Sequence, residues 1–509
     1  MLKLIHRNAT LPMSASESQN QACAETKAPE IANAVSPGSE SPADTGNFVA
    51  ADSAPPAALR AAPVPITAQP GEAAAPPRAD AATAHPPGAQ QFTPRESPAA
   101  GESAQTGSLN AGASTAFGAF AFAQPLASRV GSAEQSNTSI LYGNQLILKL
   151  FRRLQPGQNP DVEIGRFLTE TAHFSNIPPF FGEMTMTEPA GEKTTLAMLQ
   201  GLVANQGDGW RWFLDQLAGF FAAVADLPQP QKSPAPGFLR NDVPIGEIQD
   251  HSLGSLEAAA LLGRRTAEMH LALATPTSDP AFAAEPFTSD DLAGEARRID
   301  AEITSTLETL KAKLSTLKDV TADHAGLLLS RRIDLFARAN AISDLPAAGQ
   351  RTRIHGDYHL GQTLRTPGSG ATSGDFVLLD FEGEPARSLA ERRQKQSPLK
   401  DVAGMIRSLS YAAYTGLDNY LAENSAIART GRAEHLAGWA AAWQNTASAA
   451  FLRAYRETIA VHPALLPSPQ QAQVLLDAYI LEKALYELLY ELNNRPTWLR
   501  IPLSGILTL

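Results

Sequence analysis

The sequence predicts an α+β fold with two lobes, a small β-rich lobe over residues 116–203 and a larger, mostly helical lobe over residues 204–509. Short runs of β-branched and large apolar residues between residues 117 and 150 are typical of strands and indicate the small lobe. Apolar residues recur every three or four positions from residue 401 onward, which is the helical period and indicates the large lobe. An apolar strand after a Gly-rich turn, at residues 376–381, predicts a short hairpin inside the helical lobe.

Residues 1–115 are predicted to be a flexible, Ala/Pro-rich tail. Between residues 51 and 110 the sequence contains 18 Ala and 11 Pro and hardly any large apolar side chain. Such a segment cannot bury enough surface to offset the conformational entropy lost on ordering. The hydrophobic core is therefore expected to come from residues 116–509.

Charge and cysteine content narrow the functional classes. The chain has 41 Lys and Arg against 52 Asp and Glu, a formal net charge of −11. Because phosphate backbones and anionic membrane surfaces attract clustered cations, a nucleic-acid or membrane binder is disfavoured. The one cysteine, Cys23, excludes an intramolecular disulfide and a cysteine-based zinc site. The sequence shows no signal-peptide pattern and no apolar run of spanning length, so it predicts a cytoplasmic protein.

Local signals place the elements of the small lobe. Residues 139–150 predict a β-hairpin that turns at a Gly-Asn pair. The Asn-Pro pair at residues 159–160 is typical of a helix cap and first helical position, so a helix is expected to run to about residue 172. A further strand is expected over residues 196–203.

The large lobe is predicted to contain a helix from residue 208 to about 225 and an antiparallel pair of charged helices between residues 290 and 340. Three other helices are expected to bury an apolar face. The faces contain, in turn, Leu262, Thr266, Met269 and Leu273; Val402, Met405, Ile406 and Leu409; and Leu481, Leu485, Leu488 and Leu492.

The segment His355-Gly-Asp-Tyr-His-Leu-Gly-Gln362, followed beyond a hairpin by Asp380-Phe-Glu382, indicates phosphoryl transfer. That reaction needs one carboxylate to position a hydroxyl nucleophile and further oxygen ligands to hold Mg²⁺ on the phosphates. Asp357 can accept the proton of the hydroxyl, while Gln362 and Asp380 can hold the metal. The spacing is that of the catalytic and metal-binding segments of protein kinases.

Two upstream features fit the same chemistry. Lys149 on a strand and Glu163 on the next helix are expected to pair, which would hold an ammonium against the α- and β-phosphates of a nucleotide. No G-x-G-x-x-G loop precedes this lysine, but residues 131–139 form a polar loop that could cover phosphates with its amides and hydroxyls. The same loop is equally consistent with an ordinary hairpin connection.

Asp401, at the start of a helix, has two interpretations that the sequence leaves open. Its carboxylate could tie down the catalytic loop through buried hydrogen bonds. Alternatively, it could be only an acid favoured by the dipole of the helix N-terminus.

These residues resemble the maltokinase family from about residue 126 to residue 509. The resemblance rests on Gly131-Ser-Ala-Glu-Gln-Ser-Asn-Thr-Ser139, Lys149-Leu-Phe-Arg-Arg-Leu154, Asn159-Pro-Asp-Val-Glu163, Asn205-Gln-Gly-Asp-Gly-Trp210, His355-Gly-Asp-Tyr-His-Leu-Gly-Gln362, Asp380-Phe-Glu-Gly-Glu-Pro385, Ser397-Pro-Leu-Lys-Asp401 and Tyr486-Glu-Leu-Leu-Tyr-Glu-Leu-Asn-Asn-Arg-Pro-Thr-Trp498.

The resemblance implies a bilobal protein-kinase-like fold of the aminoglycoside-phosphotransferase type. It implies ATP and Mg²⁺ as cofactors and maltose as substrate, phosphorylated on its anomeric oxygen to maltose 1-phosphate, a donor for α-glucan synthesis. Trehalose synthase is implied as a candidate partner. Carried over by position, Asp357 is the catalytic base, Gln362 and Asp380 are the metal ligands, and Lys149 with Glu163 anchors the phosphates.

The remaining contacts that we expect fall into two groups. The nucleotide is expected to bind at Ser136, Asn137, Thr138 and Ser139 and, through its adenine, at Gln200, Gly201, Leu202 and Val203. The sugar is expected to contact some of His355, His359, Glu382, Arg407, Tyr411, Tyr486, Glu487, Arg495 and Trp498, a set that combines hydrogen-bonding groups with aromatic platforms. Glu382 could instead be a further metal ligand.

Two alternatives to a maltokinase stay open. The phosphate machinery does not read the acceptor, so the chain could phosphorylate glucosamine, trehalose or an aminoglycoside. It could also be a non-catalytic module that docks trehalose synthase, although such a module has no need for intact Asp357, Gln362 and Asp380. Maltokinases usually carry a folded cap where this sequence has its predicted tail. The cap is therefore expected to be missing or degenerate, or the gene start to be misplaced.

Overall fold

A computed structural model describes residues 1–2, 5, 7–12, 107–118, 126–131, 137–231, 235, 237–239, 246–346, 348–368, 374–424 and 432–509. Its strands lie mainly before residue 202 and its longer helices after residue 208. The predicted α+β class, with a β-rich lobe followed by a mostly helical lobe, is confirmed.

The described strands are β1 (Thr10–Pro12), β2 (Ser108–Ala113), β3 (Ser128–Val130), β4 (Asn137–Tyr142), β5 (Leu146–Phe151), β6 (Phe180–Thr187), β7 (Lys193–Gly201), β8 (Glu285–Pro286), β9 (Gln350–Arg351), β10 (Thr363–Thr366) and β11 (Asp375–Leu378). The described helices are α1 (Thr115–Gly118), α2 (Pro160–Arg166), α3 (Gly209–Val224), α4 (Gly246–Leu273), α5 (Ser289–Lys313), α6 (Asp319–Ser330), α7 (Arg332–Asn340), α8 (Leu389–Arg392), α9 (Leu399–Glu423), α10 (Arg432–Ile459), α11 (Pro469–Asn494) and α12 (Arg500–Thr508).

Within the described residues, seven strands form one antiparallel sheet in the order β1-β2-β6-β7-β5-β4-β3. The predicted hairpin is β4–β5, which turns at the Gly-Asn pair. Leu146 and Leu148 on β5 are fully buried in the core of the small lobe. Because side chains alternate along a strand, Lys149 points to the opposite face of the sheet, where the candidate site lies.

The prediction of a flexible tail over residues 1–115 is wrong for residues near both ends of that segment. β1 pairs with β2, and β2 pairs with β6 along its whole length. Ile5 is fully buried, and its methyl group packs where a side chain at Gly182 would otherwise lie. The small residues of β2 gave no strand signal, but its ladder hydrogen bonds to β6 do not depend on side-chain size. Most of the predicted tail, including Cys23, lies outside the described residues.

The helix predicted after the Asn-Pro pair is confirmed. Asn159 caps α2 by accepting a hydrogen bond from the Asp161 backbone N–H at 2.8 Å, and Pro160 occupies the first helical position. A π-helical turn, Phe167–Thr171, continues α2 to about the predicted end. The helix predicted from residue 208 to about 225 is also confirmed as α3, which Asp208 caps.

The helical lobe differs from prediction in one region. Between residues 290 and 340 the chain forms α5, α6 and α7 instead of two helices. A 3₁₀ turn at Leu314–Thr316 ends α5, and the backbone departs from helical geometry at Arg331 to separate α6 from α7.

The three predicted apolar faces are buried on α4, α9 and α11. α4 packs along α10, and α9 packs against α3, α10 and α11. Helix α9 therefore lies among three others, and its neighbour α11 carries side chains into the site described below. None of the described helices combines the length and apolar character needed to cross a membrane.

Candidate active site

Asp401 anchors the loop that carries Asp357. Its carboxylate accepts hydrogen bonds from the backbone N–H groups of His355 at 2.8 Å and Gly356 at 3.0 Å, and His270 Nε2 lies 3.1 Å away. Burial raises the pKa of Asp401, but its hydrogen bond to His270 and the nearby histidine charge outweigh burial and lower it. The first interpretation of Asp401, a buried tie to the catalytic loop, is confirmed.

Asp357 contacts a lysine that the sequence analysis did not single out. Lys483 on α11 places its Nζ 3.5 Å from Asp357 Oδ1 and 2.8 Å from Glu384 Oε1. Burial lowers the pKa of Lys483, but these two carboxylates outweigh burial and raise it. Lys483 and Asp357 are 126 positions apart, and no local pattern could have paired them.

His355 was expected to contact the sugar, and the structure contradicts this. The residue is 1% exposed, and its Nε2 donates to the Leu379 carbonyl at 2.8 Å. Its ring packs on Tyr358 and Phe381, with centroid distances of 5.0 and 4.7 Å. His355 therefore joins the loop that carries Asp357 to the segment that carries Asp380.

Lys149 pairs with Asp161, not with Glu163 as predicted. Its Nζ lies 3.1 Å from Asp161 Oδ2 and 3.7 Å from Asp380 Oδ1. Burial lowers the pKa of Lys149, but the charges of Asp161 and Asp380 outweigh it and raise the pKa. The ammonium is thus held charged beside the acid expected to bind metal.

Glu163 serves a different contact. Its carboxylate receives Arg353 at 3.0 Å and Arg393 through two hydrogen bonds at 2.8 and 2.6 Å. Two helical residues two positions apart are separated by about 200° around the axis. Asp161 therefore faces the strand that carries Lys149, while Glu163 faces the large lobe.

Three carboxylates form a candidate metal centre. Oxygens of Asp161, Asp380 and Glu382 lie within 4.8 Å of one another. Asp380 Oδ1 is buried and has no hydrogen-bond donor among the described residues, while its Oδ2 accepts from Gln362 Nε2 at 3.2 Å. Asp380 also adopts a φ of 64°, a left-handed conformation that is costly for a non-glycine residue.

The charge of this centre fits a divalent cation. Burial, together with the neighbouring Asp161 and Asp380, raises the pKa of Glu382 to about 7. Clustered carboxylate and amide oxygens are the ligands that Mg²⁺ prefers. Asp380, Glu382 and the amide oxygen of Gln362 could hold it, since Asp161 is already engaged by Lys149 and by the Phe381 backbone N–H at 2.9 Å.

A cavity of about 350 Å³ lies beside this centre, where the nucleotide was expected. Its lining includes Asn137, Ile147, Lys149, Gln200, Gly201, Leu202, Val203, Gln362, Leu364 and Asp380. The Leu202 backbone N–H donates to the Gln145 carbonyl at 2.8 Å, which fixes the connection after β7. The structure therefore gathers the expected adenine contacts on one wall.

The structure describes only part of the polar loop predicted over residues 131–139. Ser136 lies outside the described residues. Asn137 donates to Glu382 Oε1 at 3.0 Å, and Thr138 accepts from Arg152 Nε at 3.1 Å. The Ser139 hydroxyl is buried and has no hydrogen-bond partner among the described residues.

A second cavity, of about 380 Å³, is here called the acceptor cavity, and it shares Gly404, Lys483 and Tyr486 with a smaller cavity that Asp357 lines. The lining residues of the acceptor cavity are Trp210, His359, Gly404, Ser408, Tyr411, Lys483, Tyr486, Glu487, Tyr490, Glu491, Arg495 and Trp498. Six of the expected sugar contacts are among them. Glu382 is not, because it lies in the metal centre. Trp210 belonged to a recognised motif but was not predicted to reach this cavity.

Aromatic rings and ion pairs shape the acceptor cavity. Tyr411 stacks on Trp498 with a centroid distance of 6.2 Å, and Arg495 lies over Trp498 at 4.6 Å. Arg495 also forms a bidentate pair with Glu491, at 2.7 and 3.0 Å. Both rings are half-buried, and their open faces offer an apolar surface against which a sugar ring can pack.

Arg407 was expected to contact the sugar, but it lies behind the cavity wall. The residue is 2% exposed, and its Nε and Nη2 donate to Glu487 Oε2 at 2.9 and 2.7 Å. Arg407 thus orients a carboxylate that lines the cavity and does not line it itself.

A small cavity of about 130 Å³ joins the components of the site. Asn137, Gln362 and Asp380 line both this cavity and the nucleotide cavity. The other charged residues of its lining are Asp357, Glu382, Arg153 and Arg392. Carboxylates and two arginines therefore surround the space between the nucleotide cavity and Asp357.

Comparisons with known proteins agree with this architecture. No family model matches the chain. It is 26% identical over 392 residues to a glucosamine kinase of Streptacidiphilus jiangxiensis, covering 75% of this chain and 74% of that protein. It is also 26% identical over 375 residues to a glucosamine kinase of Mycolicibacterium smegmatis, covering 73% and 76%.

A solved structure of a glucosamine kinase with glucosamine, ADP and inorganic phosphate superposes with a TM-score of 0.55 at 23% identity, over 79% of this chain and 81% of that chain. The predicted bilobal kinase-like fold is thereby confirmed. The relatives are kinases of this fold, whereas none of those described is a maltokinase, so that part of the resemblance is not confirmed.

Proposed function

We propose that this chain is an ATP-dependent sugar kinase, which transfers the γ-phosphate of ATP to a hydroxyl of a small sugar. One observation carries the proposal. Asp357, Gln362 and Asp380 line a single small cavity that adjoins the nucleotide cavity, and Asp357 also lines another small cavity that shares Gly404, Lys483 and Tyr486 with the aromatic acceptor cavity. Asp357 therefore lines cavities that adjoin both the nucleotide cavity and the acceptor cavity, as a base in phosphoryl transfer requires.

Lys149 is the group proposed to bind the nucleotide phosphates. Its side chain is 13% exposed, and its ammonium is fixed by Asp161. A cation held in this way needs no reorganisation when phosphates bind, which favours binding and charge stabilisation. The adenine would lie against residues 200–203 of the nucleotide cavity. Two backbone hydrogen bonds hold this segment in place.

Asp357 is proposed as the base. The loop that carries it is fixed by the two backbone hydrogen bonds to Asp401, so the carboxylate is oriented before the sugar binds. Mg²⁺ held by Asp380, Glu382 and Gln362 would neutralise charge on the phosphates. Asp357 then orients the acceptor hydroxyl and accepts its proton.

Among the acceptors weighed from the sequence, glucosamine takes precedence over maltose. The two relatives described above are glucosamine kinases, and the solved structure described above contains glucosamine. Maltose is the second candidate, because residues of the maltokinase-like segment 486–498 line the acceptor cavity. Trehalose synthase as partner and a cytoplasmic location stay predictions.

The test is transfer of phosphate from Mg-ATP to glucosamine, maltose, glucose, trehalose and an aminoglycoside, with the product position determined. We expect transfer to glucosamine, and we expect D357N to lower kcat about 10²-fold to 10⁴-fold with little change in the KM for ATP. D226N is the matched control, because Asp226 is an exposed surface acid that pairs with Arg432.

Each alternative has a distinct result. Transfer to maltose with loss of its reducing end would restore the maltokinase assignment. Nucleotide binding without transfer to any sugar would contradict the proposal. Absence of Mg-ATP binding would favour the non-catalytic docking module.

A further inference from the structure

Lys483 is a half-buried cation that the proposed reaction has not yet used. It lies on α11, and its side chain is 23% exposed. It lines the acceptor cavity, but it is not among the residues that line the nucleotide cavity. Any effect of Lys483 is therefore expected on the acceptor side of the transfer.

The ammonium of Lys483 lies between two loops. Asp357 comes from the catalytic loop, and Glu384 comes from the segment just after the metal centre. Glu384 is itself held by Arg387 Nε at 2.8 Å, and the Tyr486 ring lies 5.0 Å from the ammonium. These contacts fix the ammonium in position, so it presents a constant charge to Asp357.

Asp357 has no other hydrogen-bond or ion-pair partner among the described residues. The contact to Lys483 involves Oδ1, and no hydrogen bond or ion pair in the described part of the chain involves Oδ2. A carboxylate with one oxygen engaged and the other free has a defined direction in which to accept a proton.

We propose that Lys483 is a positioning residue that holds Asp357 Oδ1, so that Oδ2 accepts the proton of the sugar hydroxyl. This inference rests on the proposed function. In the transfer, the acceptor oxygen bonds to the γ-phosphorus, the bond between that phosphorus and the bridging oxygen of ADP breaks, and the hydroxyl proton passes to Oδ2. Lys483 acts through Asp357 and takes no part in these bond changes.

Lys400 provides a matched control within the same lobe. It is also a half-buried lysine that pairs with two carboxylates, Glu295 at 2.9 Å and Glu482 at 3.8 Å, and it lies 5.2 Å from the Tyr479 ring. It has no ion pair or hydrogen bond with Asp357. Removing Lys400 therefore reproduces the loss of a half-buried cation without changing the proposed contact.

The experiment compares K483M, K483R and K400M in steady-state transfer from Mg-ATP to the sugar that the wild type uses. We expect K483M to lower kcat at least about 10²-fold with the KM for ATP changed less than about threefold. K483R should recover part of kcat because it restores the charge. K400M should keep kcat within about threefold of the wild type, whatever its effect on stability.

A double variant separates positioning from a direct role. If Lys483 acts through Asp357, K483M should change kcat less than about threefold when it is added to D357N. A full additional loss in the double variant would overturn the proposal, and so would a wild-type kcat in K483M. A wild type that transfers phosphate to no sugar would instead mark the failure of the proposed function, and the role assigned to Lys483 would fall with it.

Discussion

The ammonium of Lys149 lies 3.1 Å from Asp161 Oδ2, and this carboxylate is fully buried. The other oxygen of Asp161 accepts the backbone N–H of Phe381 at 2.9 Å. Asp161 therefore links the strand that carries Lys149, the lysine proposed to bind phosphate, to the segment that carries Asp380. One side chain sets the relative positions of the cation and the metal centre.

This link predicts the effect of D161N. The variant removes the charge that holds Lys149 in place while it leaves an oxygen for Phe381. We expect the KM for Mg-ATP to rise at least about tenfold and kcat to fall, because truncating one partner of a buried charge pair leaves the other uncompensated. Steady-state kinetics and a direct nucleotide titration measure both quantities.

E163Q should behave differently, although Glu163 was predicted to be the partner of Lys149. It would leave Arg353, which is 1% exposed, without its carboxylate. We expect the free energy of unfolding to fall by about 3–5 kcal/mol, with the KM for ATP of the folded enzyme changed less than about threefold. Urea unfolding gives the first value. A larger KM increase in E163Q than in D161N would contradict the pairing.

Lys149 pairs with Asp161 and not with Glu163, and this difference shows which part of the site could not be predicted from the sequence. The start of α2 could be predicted because a cap and a proline are local signals. Both acids are on that helix, and the choice between them depends on how the helix is rotated against β5. That rotation is set by packing between elements distant in sequence, which no local pattern encodes.

The same distinction applies elsewhere in the chain. The spacing of Asp357, Gln362 and Asp380 could be recognised because one loop and one hairpin hold them. Lys483 and Trp210 reach the site from helices far away in sequence, and their own neighbourhoods resemble ordinary helix surface. Strand β2 was missed because its side chains are small, while its stability comes from backbone pairing.

Glu382 predicts a pH-dependent magnesium requirement. Burial and the neighbouring Asp161 and Asp380 raise its pKa to about 7, so below pH 7 the carboxyl carries a proton that competes with metal. We expect the Mg²⁺ concentration for half-maximal activity to rise as the pH is lowered from 8 to 6. In E382Q the requirement should be higher at pH 8 and less dependent on pH. An equal pH dependence in both proteins would show that another group is responsible.

Glu302 predicts a pH-dependent stability. Burial and the nearby Glu482 raise its pKa to about 7 from an ordinary value of 4.5. The unfolded chain therefore loses this proton at lower pH than the folded protein does, and stability falls as the pH rises from about 4.5 to about 7.

E302Q should remove this loss, because glutamine resembles the protonated acid. We expect E302Q to be more stable than the wild type by about 1–3 kcal/mol at pH 8 and nearly equal to it at pH 4.5. Urea unfolding at both pH values measures the difference. A gain of the same size at pH 4.5 would indicate a packing effect unrelated to titration.

The pairing of β1 with β2 also constrains how this chain can vary. Thr10 lies opposite Asn110, so strands 100 positions apart in sequence are hydrogen-bonded neighbours in the sheet. Their register is set by backbone pairing and not by the length of chain between them. A variant with a different number of residues between β1 and β2 that keeps both strands is therefore expected to keep the sheet, and with it the position of Lys149.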